Sequence, residues 1–83
     1  MSLQKHSLVK EFPDHQHTIR HLKMHDAHFA KMFDEYHDLD HEIFSIEAGN
    51  TAASEDYLEE QKVRRVRLKD TLFALVRKEE AAQ

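Results

Sequence analysis

The stretch "HDLDHEI", His37 to Ile43, packs two histidines and three acids into seven residues. Imidazole and carboxylate are the groups from which metal sites and general acid/base pairs are built. At about 100° per residue, Asp34, His37, Asp38 and His41 share one helical face. That i, i+3, i+4, i+7 spacing brings two imidazoles and a carboxylate towards one cation. Against a metal, the chain has no Cys, nothing marks a fourth ligand, and HExxH would place a Glu between its histidines, whereas this stretch places Asp38 and Asp40 there. Asp34, His37 and His41 are the best metal candidates the sequence offers, yet no metal or other cofactor is expected.

A second ladder, His17, His21, His25 and His28, lies opposite Ile19 and Leu22 and is expected to face solvent. Its functional reading is a metal or pH sensor, because charging all eight histidines moves the formal net charge from −4 to +4. Its plain reading is a solvated, histidine-rich face.

Lys62, Arg64, Arg65, Arg67 and Lys69 fall within eight residues and raise the question of nucleic acid. Phosphate binding wants uncompensated bases on one face. Here the bases are spread around a helix and the chain as a whole is acidic, so nucleic acid ranks third among the functional readings. There is no phosphate loop, no GxGxxG and no serine in a nucleophile-elbow context. Two helices offer little concavity for a substrate. Catalysis is not expected.

The elements that must position these side chains are helices. One Gly, one Pro and 34% charged residues in 83 do not suit a sheet with tight turns. No run approaches the ~18 apolar residues of a membrane span, and no signal-peptide core opens the chain. The expectation is a soluble, cytoplasmic, all-α protein with no membrane contact. Residues 1–11 read as a loose arm, and 12–83 as a single helical-hairpin domain.

"FPD" at 12–14 reads as a helix start, with Pro at the first position and Asp at the positive end of the dipole. The stripe Phe12, Ile19, Leu22 then loses register at Asp26, a candidate N-cap, although a continuous helix with a local irregularity is the alternative. Phe29, Tyr36 and Ile43 interleave with Met32, Leu39 and Ile46 as a coiled-coil-like a/d seam. Gly49 and Asn50 are expected to end it in left-handed conformations, and Ser54 to cap the next helix. That helix carries Leu58, Leu68, Leu72 and Leu75, with Arg65 in the stripe. The spacing predicts helices near 13–24, 27–48 and 54–80, the last two antiparallel.

Charge supports that pairing. Residues 26–48 carry seven acids and one Lys, and the basic middle of the last helix lies opposite them. Asp34, Glu35, Asp38 and Asp40 are expected to meet Lys62, Arg64, Arg65 and Arg67. "HDLDHEI" then becomes a hairpin clasp of Leu39, Asp40 and Ile43 against Lys62, Arg65 and Leu68, with Asp40 pairing Lys62 or Arg65.

"FPD", Ile19, Leu22-Lys23, Phe29, Phe33-Asp34, "LDHEI" at 39–43, Lys62 and "LKD" at 68–70 together resemble the YdcH-like family, short bacterial proteins classed as a domain of unknown function. The likeness spans roughly residues 12–70. It implies a bacterial cytoplasmic helical hairpin and transfers no catalytic residue. Asp40 and His41 fall within the shared pattern, whereas His17, His21, His25 and His37 lie outside it.

Apolar width suggests the function. Phe33 and Phe44 lie beyond the edge of the first seam, and Val66 and Phe73 widen the second helix's apolar arc to about 180°, where one buried face needs little more than 100°. A lone hairpin would expose these four as a strip, which soluble monomers avoid. The expectation is a non-catalytic interaction module that self-associates, a dimer forming a four-helix bundle being favoured, or that docks on an unidentified protein. The rival is that helix 13–24 folds back over the strip.

Overall fold

The computed structural model describes residues 12–82, and the expected arm at 1–11 lies outside them. A 3-10 turn, Pro13–His15, leads into α1, Gln16–His25; α2 follows at Ala27–Glu47 and α3 at Glu55–Ala82. No strand occurs among the described residues. The all-α class, the short N-terminal helix and the long hairpin are as the sequence indicates. The first segment differs in detail: Pro13 starts a 3-10 turn, tied by His15 N–H to the Phe12 carbonyl at 3.0 Å, before α-helix begins.

Asp26 separates α1 from α2. Its backbone is extended, at φ −128° and ψ 104°, and its carboxylate accepts the Phe29 N–H at 3.0 Å. One residue therefore ends one helix and caps the next. The chain reverses there, and α1 lies back across α2 and α3.

At the far end of α2, Gly49 alone adopts a left-handed backbone, φ 82°; Asn50, expected to share it, has negative φ. One such residue suffices, because Gly49 N–H bonds the Ile46 carbonyl at 3.1 Å and Asn50 N–H bonds the Ser45 carbonyl at 2.9 Å. These are the two bonds of a Schellman ending. Ser54 Oγ then accepts the Tyr57 N–H at 3.1 Å and caps α3 as expected.

The long helices run antiparallel, with Glu42 reaching Tyr57 and Asp40 reaching Arg65. The main core lies where all three helices meet. Ile19 and Leu22 from α1, Phe29, Met32, Phe33 and Tyr36 from α2, and Leu72 and Val76 from α3 form one buried cluster. Fully burying a side chain of this size stabilises by about 1.5–3 kcal/mol. Leu39 and Ile43 are buried nearer the turn, outside that cluster.

Candidate functional site

The "HDLDHEI" segment sits on the turn-proximal half of α2. Leu39, Asp40 and Ile43 all point into the hairpin and are buried. Arg65 Nη1 donates to Asp40 Oδ1 at 3.0 Å, with the two side chains 18% and 3% exposed. Such a shielded pair is screened less by water and salt than a surface pair. Leu68 is half-buried beside it.

The clasp is narrower than the charge pattern suggested. Lys62, expected as a possible partner of Asp40, instead reaches Glu47 at 3.2 Å and Glu59 at 3.9 Å. Of the four acids expected to meet the basic cluster, only Asp40 forms a close pair with it among the described residues. Asp34 is exposed, on the side of α2 away from α3. Two polar contacts of this half escaped the sequence reading. Gln61 is 5% exposed and accepts from Arg64 at 3.1 Å. The Tyr57 hydroxyl donates to Glu42 at 2.9 Å, and that bond holds the phenol above its ordinary pKa. A Gln within a charged helix carries no pattern that marks it as buried.

The metal candidates do not converge. His37 donates from Nδ1 to the Phe33 carbonyl at 2.9 Å, with its ring against Phe33 and Tyr36, while Asp34 and His41 are exposed. Among the described residues no three His, Cys, Asp or Glu side chains gather as a metal site would require. In the second ladder, His17, His21, His25 and His28 are exposed, as expected. His21 lies 3.4 Å from Glu79 and its ring stacks near His25.

At the other end, α1 is strapped down by polar contacts that long-range folding alone creates. Glu80 accepts from His15 at 2.7 Å and from Thr18 at 2.8 Å. Those two bonds, His15 first, pull the Glu80 carboxyl below its ordinary pKa. Phe12 stacks on Phe73 with ring centres 4.6 Å apart, and the Lys23 ammonium lies 4.2 Å from the centre of the Phe33 ring. The four residues assigned to a self-association strip are thereby divided. Phe33 is buried and Phe73 half-buried under the chain's own N-terminal segment, Phe44 is half-buried, and Val66 is 50% exposed. The fold-back named as the rival cover is the arrangement the chain adopts.

The side of the hairpin away from that aromatic strip carries an open groove along the α2–α3 seam. It comprises two adjoining depressions of about 250 Å³ and 290 Å³, sharing Glu35 and Arg64. Neither is an enclosed pocket. Met32, Leu39 and Leu68 supply apolar floor, and Tyr57 closes one end.

Together these features define a small all-α protein: an antiparallel hairpin covered at one end by a short third helix. The model of the family described as "Protein of unknown function (DUF465)" matches residues 29–76, more than half of the 83, and the chain belongs to that family, the YdcH-like proteins. The matched segment begins just after the Asp26 junction and takes in most of the hairpin. No curated protein and no solved structure matches the chain.

Proposed function

We propose that this protein is a small, non-catalytic helical interaction module, working in the bacterial cytoplasm by offering helix faces to another helical surface, a second copy first among them. The observation that carries this reading is the seam groove: shallow and open, with an apolar floor and charged banks, it suits a helix better than a small substrate. No helix among the described residues is long and apolar enough to cross a membrane. Recovery of the tagged chain from native cells, with mass spectrometry of what accompanies it and sedimentation equilibrium of the purified protein, tests the reading. A protein that neither self-associates at micromolar concentration nor retains any partner would refute it.

A histidine-based sensor is the second reading, favoured by the two imidazole–carboxylate contacts that strap the 3-10 turn and α1 to α3. If it senses pH, helicity and melting temperature shift between pH 5 and 8, the range in which free imidazole titrates. If it senses metal, chelator lowers the melting temperature, and replacing His37 and His41 together removes that effect. The interaction reading expects chelator to change neither quantity.

A further inference from the structure

The groove has banks of opposite sign. Glu35, Asp38 and Glu42 line it from α2, and Arg64 and Arg67 from α3. Among the described residues, the side chains of Glu35, Asp38 and Arg67 make no hydrogen bond or ion pair with the rest of the chain. Two acids and a base left unpaired along the two edges of one apolar trough are poor stabilisers of a lone hairpin. They are well placed to orient something laid across it.

We propose that the groove receives a second copy of this chain, with the two-fold axis parallel to the long helices, so that α2 of each copy lies over α3 of the other. This rests on the self-association reading and adds the face and the symmetry. Two hairpins meeting through the same face have two simple dyads available in the interface plane. An axis across the helices stacks α2 on α2 and sets Glu35, Asp38 and Glu42 against their own copies, which like-charge repulsion opposes. An axis along the helices stacks α2 on α3, acid bank over basic bank.

The register follows from the clasp. Asp40 and Arg65 touch at 3.0 Å and so lie at one height along the hairpin. Stepping two residues back along α2 and two forward along antiparallel α3 brings Asp38 and Arg67 to a common height. A dyad parallel to the helices preserves height, so Asp38 of one copy faces Arg67 of the other. Tyr57, 40% exposed at the end of the groove, is of the residue type enriched at such contacts. The floor is modest, because Met32 and Leu39 are already 9% and 7% exposed in the single chain. Charge therefore sets orientation while limited apolar burial keeps the affinity in the micromolar range.

Sedimentation equilibrium of the full chain at low salt, with circular dichroism confirming that each variant is helical, tests this. The wild type is expected to dimerise, and Asp38→Lys or Arg67→Glu alone to weaken dimerisation about tenfold or more. Asp38→Lys with Arg67→Glu on one chain should restore it, because the dyad then pairs each new base with a new acid. Val66→Glu, on the opposite side, should leave it intact. Tighter association of Asp38→Lys would indicate α2 on α2 and overturn the symmetry. Dimerisation abolished by Val66→Glu but indifferent to the groove variants would overturn the face while self-association stands. A wild-type monomer throughout the micromolar range would reject both the groove dimer and self-association.

Discussion

The end of the hairpin where α1 crosses and the end beside the Gly49 turn are held by different means. At the first, three helices contribute eight buried apolar side chains to one cluster. At the second, only two helices are present, and Leu39 and Ile43 share the interior with Asp40 and Gln61. Three helices can enclose a dry core, whereas two leave a seam open on both sides. In the two-helix half the interior tolerates polar groups, and a specific pair such as Asp40–Arg65 fixes the register that apolar packing leaves loose. The difference shows how one short chain combines a packed core with an addressable clasp.

The strongest way to break this comparison is to truncate one side chain in each half. Phe29, 0% exposed in the three-helix half, should cost about 3–5 kcal/mol when replaced by Ala. Leu39→Ala in the clasp should cost about 2–4 kcal/mol, and half-buried Leu68→Ala should fall at the bottom of that range. Urea unfolding measures all three. If Leu39→Ala proves the costlier, the main core does not lie at the three-helix end.

Asp40→Asn should destabilise by about 1–3 kcal/mol, because it leaves the Arg65 guanidinium without its charged partner in a shielded site. A double-mutant cycle sharpens the point: coupling is expected with Arg65 and none with Lys62, which pairs Glu47 instead. Coupling confined to Lys62 would mean that the clasp has another register. Ser54→Ala removes the cap of α3 and should cost about 1 kcal/mol by the same assay.

The smallest effect concerns the strap at the three-helix end. Folding lowers the Glu80 pKa from an ordinary 4.5, so its contribution is present above that value and lost as pH falls through the lowered one. Melting temperatures of wild type and Glu80→Gln should therefore differ slightly near neutral pH and converge in acid. A gap that widens on acidification would show the strap to work otherwise.

Much of this architecture was legible from residue spacing. Phe29, Met32, Tyr36, Leu39 and Ile43 recur at the coiled-coil spacing, and each is buried. Asp26, Gly49 and Ser54 mark their junctions through local chemistry, which acts within a few residues. What spacing left open was the destination of α1. The same stripe of Phe12, Ile19 and Leu22 serves a separate helix folded back or one continuing into α2. The contacts that decide it, Phe12 with Phe73 and His15 with Glu80, span more than sixty residues of sequence. The choice of Glu47 over Asp40 by Lys62 was equally hidden, because several acids lie within reach of a long flexible side chain.

The single extended residue at Asp26 makes α1 a lever. Ten helical residues from Gln16 to His25 form an arm ~15 Å long, pivoting at one pair of backbone torsions. A rotation of ~20° at that pivot moves Leu22, ~6 Å away, by ~2 Å, and it carries the far end of a ~15 Å arm by ~5 Å. The tip contacts, Phe12 on Phe73 and His15 on Glu80, therefore sit where angular motion is amplified most. Displacements of the arm are felt most strongly by the aromatic stack at its end and least by the packing beside the pivot.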